Sequence, residues 1–123
     1  MENHLNIVRH VLDLYETIRE GIDHTQSLLE QGKEEAAVRM FQDIVFAFSK
    51  IEEVQAPLLE EMEGPTAINA EHTNIRKHLD KVVQAFENQE FLKVKEILQF
   101  TLHPQWKIWN QTLVDTFHPF VVS

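Results

Sequence analysis

Apolar side chains recur at alternating steps of three and four residues along almost the whole chain. Val8, Val11, Tyr15, Ile18, Ile22, Thr25 and Leu29 fall on one stripe, because 3.6 residues per turn bring positions three and four apart onto the same side of a helix. The spacing predicts a first helix over residues 3–31. Gly32 supplies the positive φ that closes a helix without a Cβ clash, and Lys33-Glu34-Glu35 opens the next, so a tight helical hairpin is expected.

The second helix is predicted over 34–63, on Ala37, Phe41, Ile44, Phe48, Ile51, Gln55, Leu58 and Met62, with Met40, Ala47 and Val54 widening the stripe. Pro57 lies inside it. Proline removes one backbone donor and crowds the carbonyl four residues back, so a kink near Glu53 to Pro57 or a break is expected; the seam staying in phase beyond favours the kink. Gly64-Pro65-Thr66 is a glycine stop, a proline and a capping hydroxyl. A third helix over 67–87 follows on Ile68, His72, Ile75, Leu79, Val82 and Phe86, ending near Asn88, which tolerates a left-handed cap. The fourth, over 90–119, uses Phe91, Val94, Leu98, Leu102, Trp106, Trp109, Leu113, Phe117 and Phe120, with a kink at Pro104.

Short connections make successive helices antiparallel neighbours. The fold class expected is all-α, an up-down-up-down four-helix bundle in one domain over residues 1–123. Residues 31–41 align with 88–98 at an offset of 57, apolar positions matching better than identities. Two readings stand: a duplicated helical hairpin, or the likeness that any two amphipathic hairpins share.

Composition narrows function. With no cysteine, disulfides, thiolate metal sites and cysteine nucleophiles are excluded, and a reducing cytoplasmic setting is expected. The longest apolar run, Ile44 to Phe48, is far below the ~20 residues that cross a bilayer. The formal net charge is −9, and all of the excess lies in residues 1–64, with five Lys or Arg against fourteen Asp or Glu. No segment clusters the cations that nucleic-acid binding needs. Neither nucleic acid nor membrane is expected as a partner.

Catalytic patterns fail one by one. No glutamate has a histidine three residues on, and none of the seven histidines has another four residues on, so carboxylate-bridged di-metal patterns are absent and no metal or other cofactor is expected. Ser27, Ser49 and Ser123 sit in no nucleophile elbow, and three scattered glycines build no phosphate loop. The chain reads as a non-enzyme.

Three binding signals remain. Glu52, Glu53, Glu60, Glu61 and Glu63 crowd the end of helix two, where carboxylates oppose the macrodipole; the readings are a solvated surface or a landing site for a basic partner. His72 and Gln55 interrupt apolar seams, as a satisfied polar pair or as an interior ligand site. On helix four, Ile97, Phe100, Ile108 and Val114 fall outside the seam, so either the Pro104 kink rotates it or one face is left for another chain. Phe100, Trp106, Trp109, Phe117 and Phe120 are the candidate anchors, with packing into the core as the competing reading for both tryptophans, favoured by the large interior that four long helices must fill.

Leu102-His103-Pro104-Gln105-Trp106, followed by Trp109 and Leu113 after the hairpin at Asn88-Gln89-Glu90, resembles small bacterial four-helix proteins of unknown function that end in a leucine-proline-aromatic-tryptophan helix. In size, charge and architecture the chain is also similar to flagellar and type III export chaperones, acidic bundles that hold an aggregation-prone helix of a secreted partner. No functional residue carries over from either resemblance. The function expected is a non-catalytic interaction bundle, chaperone- or adaptor-like, that binds itself as a homodimer or a helical partner through helix four. The competing expectation is a ligand- or metal-binding bundle using His72 and its polar neighbours.

Overall fold

A computed structural model describes residues 2–61 and 67–121, which are almost wholly helical, with no strand among them. Helix α1 spans Glu2–Glu30, α2 Glu34–Glu60 and α3 Ala67–Glu87. A fourth rod is built from α4 (Phe91–Ile97), a π-helical turn (Leu98–Leu102) and α5 (His103–Val121). His4 meets Glu61, Gly21 meets Ile44 and Gln55 meets His72, so neighbouring rods run antiparallel and the chain is an all-α four-helix bundle.

Every described position of the four predicted stripes is buried except the half-buried Met40, Val54 and Phe91; the side chain of Phe120, with Met62, Glu63 and the Gly64-Pro65-Thr66 stop, lies outside the described residues. One core results, and each fully buried Leu, Ile or Phe in it contributes about 1.5–3 kcal/mol relative to exposure. Thr25 enters that core by donating its hydroxyl to the Gly21 carbonyl at 2.7 Å, which satisfies it within its own helix. Gly21 marks the closest approach of α1 and α2: a Cβ there would lie 2.9 Å from Cγ1 of Ile44.

Helix α2 runs unbroken through Pro57, whose side chain is exposed. At Pro104 the expected irregularity takes the form of the π turn: the His103 N–H donates to the Leu98 carbonyl, five residues back. The wider turn relieves the crowding that a proline ring imposes on the Phe100 carbonyl, and Pro104 needs no donor at the start of α5. It also explains the seam. Val94, Leu98, Leu102 and Trp106 step by four three times and all stay buried. A straight α-helix at about 100° per residue would drift about 120° over those steps; the extra residue in the π turn absorbs most of that drift.

Candidate functional site

The fourth rod separates the predicted anchors. Trp106, Trp109 and Phe117 belong to the core, with Trp109 fully covered, which decides for the core reading of the two tryptophans and corrects the place of all three among the partner-binding anchors. The reason is packing: Tyr15 stacks on Trp106 at 5.1 Å between ring centroids, and Trp109 meets the edges of Trp106, Phe48 and His72 at 4.3 to 5.6 Å. Tyr15 donates to the Trp106 carbonyl at 3.3 Å, and burial, then the charge of Glu16, raises its pKa. Both indole N–H groups are left without a partner.

Phe100 is the exception, 69% exposed. Of the six large apolar side chains exposed among the described residues, four lie on this rod: Leu92, Phe100, Ile108 and Val114. Leu92, Phe100 and Ile108 each stand two residues from a buried position, on the side facing away from the core. Leu92 was missed in the sequence, although its place two residues before Val94 marks it as outward. Lys93 and Lys107 flank this strip on exposed positions, with Lys95 half-buried.

Three members of the acidic cluster at the end of α2 have basic neighbours. Glu52 pairs with Arg76 of α3, Glu53 lies 3.6 Å from Lys50, and Glu61 lies 2.9 Å from His4 of α1. These pairings draw the carboxylates to different neighbours, while Glu60 faces the cleft between α2 and α3; Glu63 lies outside the described residues.

His72 and Gln55 do come together. Both are buried, at 6% and 1% exposure, and Nε2 of Gln55 lies 3.2 and 3.3 Å from the two ring nitrogens of His72. Phe48 and Trp109 press on the ring at 5.1 and 5.3 Å. Burial, then the positive charge of Arg76, pushes the His72 pKa down to about 4, so the ring is neutral at pH 7. Glu52 lies 3.7 Å from Nδ1, but its pull on the ring is offset by its own pairing with Arg76, whose guanidinium also sits 5.3 Å above the Phe48 ring. A neutral imidazole has one bare nitrogen, which accepts from the Gln55 amide; Oε1 of Gln55 is then left without a donor.

These two residues line a cleft of 590 Å³ between α2 and α3, whose other walls include Leu59, Glu60 and Arg76. The cleft lies there because α2 and α3 approach each other less closely than the other neighbouring rods do among the described residues. No three His, Asp or Glu side chains converge as metal ligands among the described residues, and no described helix is long and apolar enough to cross a membrane.

A four-helix bundle with an apolar outer face on its last rod and a polar break in its core is the class that these features define. The chain belongs to the family described as a domain of unknown function, DUF8042, whose model matches residues 6–112. No curated protein and no solved structure matches.

Proposed function

We propose that the chain is a non-catalytic interaction bundle of adaptor or chaperone type, which docks an amphipathic helix with acidic flanks onto the outer face of its fourth rod. The observation that carries this reading is the strip of Leu92, Phe100 and Ile108, exposed on a rod whose other face already fills the core. Exposed large side chains cost solvation and invite association, so several of them recurring along the outer face of one rod read as a binding surface.

Charge selects the occupant. Residues 90–108 carry Lys93, Lys95 and Lys107 against Glu90, which lies 3.7 Å from Lys93, and Glu96, a small positive excess within a chain of net charge −9. A two-fold contact sets a surface against itself, so a second copy would bring these lysines onto the same lysines. An anionic bilayer would attract the lysines but also meet the acidic remainder of the molecule, which it repels within a Debye length of ~8–10 Å. A slender acidic helix touches the strip and little else.

The test is fluorescence anisotropy with two labelled synthetic helices, each with a leucine stripe, one flanked by glutamates and one by lysines. The glutamate-flanked helix is expected to bind, to weaken as salt rises, and to be lost with Phe100→Asp. Equal binding of both helices overturns the reading. So does concentration-dependent dimerisation in sedimentation, which assigns the face to a second copy, or retention on anionic vesicles, which assigns it to a membrane.

A further inference from the structure

A cavity of 260 Å³ lies between α1 and the fourth rod, lined by Tyr15, Arg19 and Ile22 from the first and by His103, Trp106 and Lys107 from the second. Its basic residues come from the edges of the buried stripes: Arg19 follows Ile18, His103 follows Leu102 and Lys107 follows Trp106. A residue one position past a seam stands about 100° round the helix from it, at the boundary between core and solvent. Tyr15, Ile22 and Trp106 are therefore the floor, and the three basic side chains are the rim. The floor is held in place, because Tyr15 stacks on Trp106 and donates to its carbonyl at 3.3 Å. What it exposes to the cavity is mostly apolar.

Charge sets this cavity apart. Glu52 and Glu60 line the α2–α3 cleft, and Glu20 and Asp43 line a depression between α1 and α2. In a chain with 20 Asp and Glu against 11 Lys and Arg, no carboxylate lines the cavity beside Trp106 among the described residues. Nε of Arg19 donates to Glu16 at 3.0 Å, which leaves both Nη groups without a hydrogen-bond partner among the described residues. Arg19 and Lys107 reach the cavity from different rods, and like charges there repel unless an anion lies between them. A cation would be repelled by both, and a bare inorganic anion would make no use of the floor. We infer that this cavity is a binding site for a small free carboxylate with a flat apolar body, whose oxygens accept from Arg19 and Lys107 while its body lies on Trp106 and Ile22. The planar Nη fork matches a carboxylate. A volume below the ~300–1,000 Å³ of sites for drug-sized ligands keeps that body small.

The experiment uses the full chain at pH 7 with benzoate, benzamide and benzylammonium, which share a ring, and acetate, which lacks it. Affinity is read by calorimetry, and the place of binding by the two indole N–H signals in NMR, since Trp106 lines the cavity and Trp109 does not. Benzoate is expected to bind saturably and to move the Trp106 signal more than that of Trp109. Benzamide and acetate should bind about tenfold more weakly, and benzylammonium not at all. Arg19→Gln and Lys107→Gln, both on exposed positions, should each weaken benzoate several-fold. Glu16→Gln, which frees Arg19 from a competing carboxylate, should tighten it, a gain that a damaged fold would not produce. The inference is overturned if benzylammonium or acetate binds as well as benzoate, if none of the three variants changes the affinity, or if the Trp106 signal stays unmoved. Displacement of benzoate by the glutamate-flanked helix would assign the cavity to the docked partner and overturn it too. Arg19 lies on α1, outside the strip, so loss of benzoate with helix docking kept in Arg19→Gln separates the two proposals.

Discussion

The two helical hairpins turn through the same backbone with different residues at the critical position. Gly32 has φ 74° and Gln89 has φ 57°; the residues that follow, Lys33 and Glu90, have φ and ψ of −90° and 69° and of −92° and 70°. The hydrogen bonds correspond as well. Gly32 donates to the Leu29 carbonyl and Lys33 to that of Leu28, at 3.1 and 2.8 Å, while Gln89 donates to Phe86 and Glu90 to Ala85, at 3.0 and 2.8 Å. Each pair is related by the offset of 57 seen in the sequence. Beyond the turns the hairpins differ. The first packs two unbroken helices against each other at Gly21, whereas the second breaks its outgoing helix with a π turn and fills its inner side with aromatic rings. A shared turn therefore fixes direction, and the side chains beyond it decide how the rods meet.

The largest test of that difference is Trp109→Ala, which removes the ring that joins both hairpins. It should cost about 3–5 kcal/mol in urea unfolding. Trp109→Phe, which loses volume but also an indole N–H with no partner, should cost about 1–2 kcal/mol. Equal costs for the two would show that the aromatic packing is not what holds the second hairpin.

Next comes pH. Burial holds His72 at about 4 against an ordinary value of 6.5, so between these values the unfolded chain takes up a proton that the folded one refuses. The stability tied to this group is complete above pH 6.5 and declines as pH falls toward 4, by up to about 3 kcal/mol. Denaturation of wild type and His72→Leu across this range should show a shallower slope for the variant. Parallel curves would remove His72 as the cause.

Gly21→Ala probes the first hairpin. Alanine gains about 1 kcal/mol of helix propensity, but its Cβ would press on Ile44, and overpacking costs about 1–3 kcal/mol. A net loss of about 1 kcal/mol is expected by thermal unfolding; a gain would mean that the α1–α2 contact yields freely. The smallest effect is the sharpest. Gln89→Gly should stabilise by about 0.5–1 kcal/mol, because a side chain at positive φ is strained, and Gly32→Gln should destabilise by a similar amount. Effects of the same sign would end the equivalence of the two turns.

Much of the fold was legible in the chain. The four stripes named the buried positions, and the alignment of residues 31–41 with 88–98 already set Gln89 opposite Gly32, although the end of helix three was placed at Asn88. Composition favoured Asn88, but the register of Ala85 and Phe86 against the turn places the left-handed residue one position later. The candidate site was less legible. Periodicity marked His72 and Gln55 as interruptions in two separate helices, yet nothing local says that their side chains meet or that Arg76 ties Glu52 away from the acidic cluster. The anchors on helix four failed for a related reason: an aromatic residue at a seam position serves a core or an interface equally well.

Spacing along one helix depends on neighbours three and four residues away, so the rods, their inner sides and their hairpin turns follow from local sequence. Which rods stand close and which stand apart depends on how side chains from distant segments fill the space between them. That packing buried Trp106, Trp109 and Phe117, opened the α2–α3 side over an unpartnered Gln55 oxygen, and left Leu92, Phe100 and Ile108 facing outward.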